Sequence, residues 1–294
     1  MDSHGGWILE VDIRKFFATL DHAHLREFLK QRVRDGVLTR LIGKWLQAGV
    51  LEDGTVTYPE AGSPQGGVIS PVLSNIFLHY VLDEWFEQVV KPRLRGRASL
   101  IRYADDFVIG FTDETDARRV LEVLPQRFGK YGLTLHPDKT RLIPFVQPSP
   151  QAAGKGAGRG PRPGTFTLLG FTHYWGRSLK GHWVVKRKTA SSRLNRALRS
   201  IAHWCRLNRH QPLGEQQHTL GQKLRGHFAY YGITGNSTAL SLFRTAVVRC
   251  WRYWLNRRNR ERSLDWDQFR RLLERYPLPL TRVVHSVYAH AASP

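Results

Sequence analysis

Cysteine is nearly absent from this chain. Only Cys205 and Cys250 occur in 294 residues, far apart and each inside a helical pattern, so neither a disulfide framework nor a zinc site is expected, and both read as buried structural thiols. Long apolar runs are missing as well. With no stretch of about 18 apolar residues and no N-terminal apolar core of a signal sequence, no membrane span is expected, and the expected location is cytoplasmic and nucleoid-associated. Acidic side chains are scarce in the second half. Residues 151–294 carry 5 acids against 26 bases while residues 1–150 carry 19 of each, which puts the whole net charge of +21 in the second half. A face this cationic attracts polyphosphate by counterion release, and 9 Trp with 10 Tyr supply stacking surface or core bulk, so nucleic acid is the favoured partner.

What is present is enough to build a core, since 41% of the residues are hydrophobic, and it has the pattern of an α+β protein. The apolar run Trp7–Val11 reads as a strand, continued by a second strand end at Ile13–Phe17. Asp21 is a helix cap for Leu25, Phe28, Leu29 and Val33, with Gly36 just beyond. A turn-rich loop, Gly62–Gly67, leads into Ser70-Pro71, a cap with proline at the first helical position, and a long buried helix with Leu73, Ile76, Phe77, Tyr80 and Val81 on one face. Asp113 opens another helix that ends near Gly132, and Leu133–Leu135 reads as a further strand. Residues 147–164 have no periodicity and predict a flexible basic loop. Strands then pair around Gly176 and Gly181, and three helical patterns follow to about residue 257, with one shorter helix around Trp266–Leu273.

The chemistry concentrates at Tyr103-Ala104-Asp105-Asp106. This tetrapeptide lies between the apolar runs Leu100-Ile101 and Phe107-Val108-Ile109, which places two adjacent carboxylates at a tight hairpin turn. Two such charges about 4 Å apart repel by roughly 4 kcal/mol at an effective dielectric near 20, a sign that a divalent cation reverses. A third carboxylate is expected, and Asp12, at the end of the first strand, is the candidate.

Taken together, Asp12-Ile13-Arg14-Lys15-Phe16-Phe17 with Leu20-Asp21-His22, the segment Gly62-Ser63-Pro64-Gln65-Gly66-Gly67-Val68-Ile69-Ser70-Pro71, the Tyr-Ala-Asp-Asp box, Gly132–Leu135 with Asp138-Lys139-Thr140, and Leu169-Gly170-Phe171 resemble, in order, the palm motifs of bacterial group II intron reverse transcriptases, which also act as splicing maturases. Tyr230–Asn236 resembles the maturase-type thumb. The resemblance implies a right-hand palm, an antiparallel sheet with helices on one face, over residues 1–146, a primer-grip-like hairpin over 165–188, and an all-helical thumb with a tail over 189–294. It also implies fingers upstream of Asp12 and a C-terminal endonuclease. Neither is in this sequence, so a truncated enzyme working with a complementing fingers polypeptide is expected. The implied activity is RNA-directed DNA synthesis on a template RNA and a DNA primer from deoxynucleoside triphosphates, with intron RNA bound by the thumb. The alternative is a non-catalytic RNA-binding maturase remnant.

The same resemblance assigns roles. Asp12, Asp105 and Asp106, with the carbonyl of Ile13, are implied to bind two Mg2+ ions. Lys139 resembles the lysine that protonates or neutralises the departing pyrophosphate, with a solvated lysine as the alternative. Phe17 resembles a steric gate against the ribose 2′ hydroxyl; otherwise it is a core ring, Phe16 being adjacent, and strand alternation would send the two rings to opposite faces. Ser63, Pro64, Gln65 and Gly66, with Tyr103 and Ala104, are the implied substrate contacts, and Leu169, Gly170 and Phe171 the primer grip. Arg102 faces either phosphate or a carboxylate. Lys186-Arg187-Lys188, Arg257-Arg258 with Arg260 and Arg262, and Arg270-Arg271 are the basic clusters expected to bind RNA, while Trp251, Tyr253 and Trp254, at helical spacing, are more often core than base platforms.

Overall fold

In the computed structural model, the residues described are 5–47, 50–52, 55–57, 69–148, 164–178, 180–258 and 263–286. The first elements are strand β1 (Gly5–Val11), a single helical turn α1 (Phe16–Thr19), helices α2 (His22–Arg32) and α3 (Gly36–Gln47), and the short strands β2 (Val50–Glu52) and β3 (Thr55–Thr57). Helix α4 (Ser70–Leu78) runs on through π-helical turns at His79–Asp83 and Phe86–Val90. Strands β4 (Ala98–Tyr103) and β5 (Asp106–Phe111), helix α5 (Glu114–Gly129) and strand β6 (Arg141–Val146) follow. Then come β7 (Phe166–Leu168), β8 (Phe171–Arg177), β9 (Trp183–Thr189) and helices α6 (Ser191–Leu207), α7 (Leu213–Tyr231), α8 (Ser237–Leu255) and α9 (Trp266–Arg275). The chain divides into two compact units, residues 1–169 with 177–184, and residues 170–176 with 185–294.

The first unit is built on an antiparallel sheet in the order β4-β5-β1-β6. Leu9 sits opposite Ile109 and Leu142, and Val11 opposite Phe107; these side chains point to one face, where they pack with Leu25 and Phe28 of α2, Ile42 and Leu46 of α3, Phe77 of α4, and Val120 and Phe128 of α5. The alternate residues Ile8, Val108, Ile143 and Phe145 point to the other face and are also buried, with Phe145 edge-on to Phe166 of β7 at 5.0 Å. Both faces of the central strands are therefore partly covered, which is why β1 and β5 read as continuous apolar runs. Capping follows the sequence. Asp21 accepts from His24 N at 2.8 Å and Asp113 from Asp116 N at 2.9 Å. Buried Asp116 in turn accepts from Arg95 N and Gly96 N at 2.8 and 2.7 Å, tying down the entry to β4.

Several expectations are corrected. Phe16 and Phe17 lie in the helical turn α1, entered through Lys15 at φ 48°, so it is helical offset and not strand alternation that buries Phe16 and leaves Phe17 half-buried. The strand that pairs with β1 on the side away from β5 is β6, which contains Pro144, while Leu133–Leu135, expected as a strand, contributes only a bridge from Leu135 to Ile13. Proline is tolerated because β6 is an edge strand, where one backbone side needs no partner. Ser70 opens α4 rather than capping it, and α3 stands where only Gly36 drew notice.

The second unit is helical, with the β8–β9 hairpin leading into it. Leu220, Leu224 and Phe228 of α7, Phe243, Val247 and Trp251 of α8, and Phe269 of α9 form its core. Trp251 is fully buried and donates to Gln216 Oε1 at 2.9 Å, which settles it as core. Packing of α6 on α8 also brings the two cysteines together: the Cys205 thiol donates to Cys250, and this hydrogen bond, joined by burial, pushes Cys205 upward, while at Cys250 it outweighs burial and draws that thiol below its ordinary value. Among the described residues no helix is long and apolar enough to cross a membrane.

Candidate active site

The register of β1 against β5 decides the geometry of the site. Val11 pairs with Phe107, so one residue further Asp12 comes opposite Asp106, and both follow the parity of Ile8 and Val108, away from the helices. These two acids line one cavity of about 190 Å³ with Glu10, Asp138, Lys139, Arg141, Thr167 and Leu168. Lys139 Nζ lies 3.0 Å from Asp12 Oδ2, and Arg141 binds Glu10 at 2.8 Å. Glu10 also accepts from Thr167 N at 3.3 Å, which closes one wall with β7. With four carboxylates against two cations, the lining has an acidic excess that favours cations.

Asp105 does not line this cavity; it is a turn residue. The turn is two residues long, with Tyr103 and Asp106 as the last pair, and Ala104 takes a left-handed φ of 54°, a conformation that costs a residue with a Cβ about 1–2 kcal/mol. Arg102 sustains it. Its guanidinium grips Asp83 at 2.7 and 2.5 Å, Asn75 Oδ1 at 2.8 Å and the carbonyl of Ala104 at 3.0 Å, so the choice left open by the sequence falls to a carboxylate. Asp83 belongs to a π-helical turn. Tyr103 stands 69% exposed beside the acids.

The residues suit magnesium in kind. His136 N donates to Asp12 O and Arg14 N to Thr134 O, both at 2.8 Å, so at the Ile13–Leu135 bridge the N–H and C=O of Ile13 turn the other way, toward β5. Among the described residues no group of three acidic, His or Cys side chains is gathered closely enough to hold an ion. Mg2+, however, keeps several waters and needs only one or two carboxylates beside substrate phosphates. Asp12, Asp106 and the Ile13 carbonyl meet that demand with hard oxygen donors. Glu10, Asp138 and Arg141 were not singled out from the sequence, although alternation from Asp12 points to Glu10.

Phe17 packs partly against the core, its ring 5.5 Å from that of Phe16. Ser63, Pro64, Gln65 and Gly66 lie outside the described residues, as do Arg260 and Arg262. Leu169 and Gly170 have φ of 52° and 75°, and a Cβ on Gly170 would stand 2.9 Å from Tyr231 Oη, which demands glycine there. Phe171 stacks on Tyr230 at 6.0 Å and meets Tyr231 edge-on at 5.2 Å. Asn236 of the Tyr230–Asn236 segment is buried and joins Thr189 to the carbonyl of Tyr231.

The basic residues of the second unit divide in two. Lys188 is exposed, 5.2 Å from the ring of Tyr174; Arg187 is half-buried, and the Lys186 stem lies over Gly176. Arg257 stacks on Tyr253 at 4.5 Å. Arg258 instead donates to the carbonyls of Arg209 and Gln211, and its burial draws it below the ordinary arginine range.

A family model described as reverse transcriptase (RNA-dependent DNA polymerase) matches residues 2–173. Similar curated proteins include a COX1/OXI3 intron 1 protein of Saccharomyces cerevisiae, 24% identical over 71% of this chain and 30% of its own length. Protein YkfC of Escherichia coli is 31% identical over 49% of this chain and 45% of its own. The group II intron-encoded protein LtrA of Lactococcus lactis is 40% identical over 28% of this chain and 14% of its own. The chain thus spans less than half the length of these relatives. A telomerase structure from Candida albicans aligns over 91% of this chain and 46% of its own at 14% identity, with a TM-score of 0.45. With more than half its residues matched by that one family model, the chain belongs to the reverse transcriptase family, and its relatives include group II intron-encoded proteins.

Proposed function

We propose that this chain is the palm and adjoining helical region of an RNA-directed DNA polymerase of the group II intron type, extending DNA primers on an RNA template and binding intron RNA. One observation carries the reading: Asp12, at the end of β1, and Asp106, at the start of β5, share an acid-rich cavity on the helix-free face of the sheet. Asp12, Asp106 and the Ile13 carbonyl would hold two Mg2+ ions, with Asp105 in support from the turn. The chemistry such ions would supply there is a lowered pKa at the primer 3′ hydroxyl and neutralisation of charge on the triphosphate and the departing pyrophosphate.

The remaining roles belong to the protein. Lys139 steadies the Asp12 carboxylate and carries a proton within reach of the site, as a donor to pyrophosphate must. Arg102 fixes the turn. Phe17 is the gate against a ribose 2′ hydroxyl, Tyr103 and Ala104 with Ser63, Pro64, Gln65 and Gly66 are the substrate contacts, and Leu169, Gly170 and Phe171 grip the primer. Lys186, Arg187, Lys188 and Arg257 contact RNA phosphates.

Deoxynucleotide incorporation by the full chain, alone and with a fingers polypeptide in trans, tests this. Asp12→Asn and Asp106→Asn should each cut incorporation by roughly 10²–10³-fold, the loss of several kcal/mol of charge stabilisation. Equal incorporation by the variants and the parent would overturn the metal role. Phe17→Ala should raise ribonucleotide incorporation relative to deoxynucleotide, and unchanged selectivity would remove the gate.

A further inference from the structure

Residues 1–150, the greater part of the first unit, balance 19 bases with 19 acids. Yet one of its concave surfaces is lined by cations alone. Between α2 and α3 lies a cleft of about 700 Å³ whose charged lining is Arg26, Lys30, Arg34, Arg40 and Lys44, over a floor of Leu29, Val33, Thr39 and Gly43. All five cations are exposed. Among the described residues none of them makes an ion pair, and Arg40 spends one N–H on the carbonyl of Gly36.

The placement works against the stability of the helices themselves. Arg26 and Lys30 are four apart on α2, and Arg40 and Lys44 four apart on α3, so each helix presents a like-charged pair one turn apart toward the other. Such pairs destabilise a helix by a few tenths of a kcal/mol. Drawn from an even mixture of signs, five cations and no acid around one cleft is an uncommon outcome. A polyanion relieves both the pairs and their mutual repulsion. Successive cations one helical turn apart, roughly 5–6 Å, suit successive phosphates of a nucleic acid strand. A flat lipid surface does not enter a concave cleft.

We infer that the α2–α3 cleft is a nucleic-acid backbone site distinct from the acidic cavity, in which these five side chains grip the phosphodiester chain without reading bases. The contact does not depend on catalysis, so it stands or falls separately from the polymerase reading.

Fluorescence anisotropy of the full chain with a labelled structured RNA, and with a DNA duplex of matching sequence, over a KCl series tests it. The variant Arg26→Gln/Lys30→Gln/Arg40→Gln is compared with Arg93→Gln/Arg119→Gln/Lys130→Gln, which removes as many exposed cations elsewhere in the same unit. The cleft variant should bind at least about tenfold more weakly and flatten the slope of log K against log salt by about 2–3, the release expected from three phosphate contacts. Loss for RNA and DNA alike supports a backbone grip, and loss for RNA alone supports it with RNA as the strand. Equal affinity and slope in the two variants overturns it. So does loss of binding to phosphatidylserine vesicles with RNA binding intact. Unchanged circular dichroism melts in both variants show that affinity, not folding, has been measured.

Discussion

In the sheet-bearing unit several cations are tied to carboxylates, Arg102 to Asp83, Lys139 to Asp12, Arg141 to Glu10 and Arg118 to Glu114, while Arg127 donates to the carbonyls of Tyr80 and Val81. In the helical unit Arg270 pairs with Asp267 on the exposed face of α9, and the half-buried arginines are tied to carbonyls and rings. Arg244 donates to Pro279 O and Leu278 O, Arg252 to Leu264 O while its guanidinium lies 4.2 Å from the Trp266 ring, and Arg258 to Arg209 O and Gln211 O. With 5 acids in residues 151–294, arginines there find few carboxylates, and their planar forks instead satisfy the carbonyls left at helix ends and loops. A basic composition therefore overstates the surface free to meet a polyanion, because part of it is spent on holding the fold.

That contrast can be broken most forcefully at Arg102. Removing it as Arg102→Met strands Asp83, which is 28% exposed at its side chain, and frees the strained carbonyl of Ala104. A loss of about 2–3 kcal/mol in urea denaturation is expected, less than for a fully buried pair. Nucleotide incorporation should fall with it, since the turn carries the acids. Arg258→Met should cost about 1–2 kcal/mol, because Gln216 still donates to the same two carbonyls, of Arg209 and Gln211, at 3.1 and 2.8 Å.

Acid should weaken the helical unit. His227 lies face to face with Phe243 at 3.7 Å, and desolvation lowers its pKa from 6.5 to about 4. The unfolded chain then takes up the proton first, so stability contributed by the neutral ring is present above pH 6.5 and is lost progressively as pH falls toward 4. Thermal melts should show a drop of a few degrees from pH 7 to pH 5 that His227→Phe abolishes; the same drop in the variant would place the cause elsewhere.

Binding sharpens the division further. Lys188→Gln should reduce the salt slope of RNA binding by about one, whereas Arg258→Gln should leave it unchanged. The smallest effect belongs to the exposed pair of Arg118 and Glu114, where Glu114→Gln should change stability by no more than about 0.5 kcal/mol.

Local rules made much of this legible. The caps at Asp21 and Asp113, the hairpin around Ala104-Asp105 and the helical spacing of Leu220, Leu224 and Phe228 all express chemistry confined to a few neighbouring residues. Helix α3 escaped because its apolar arc is wide: Ile42 and Leu46 are buried, but Val37, Leu38, Leu41 and Trp45 are exposed, so no clean stripe marks it. Strand β6 escaped because Pro144 argues against a strand until the edge position is known. The pairing of Cys205 with Cys250 joins two helices that are distant in sequence, and no spacing rule reaches that far.

By itself the sequence determined most of the elements other than α3 and β6, the motif residues that mark a reverse transcriptase, and a strongly cationic second half, since each depends only on side-chain chemistry and short-range periodicity. Tertiary structure decided which acid faces Asp12 and which cations remain available. The first is a matter of strand register, in which a shift of one residue turns a side chain to the opposite face, and the second depends on which carbonyls and rings the fold brings within reach.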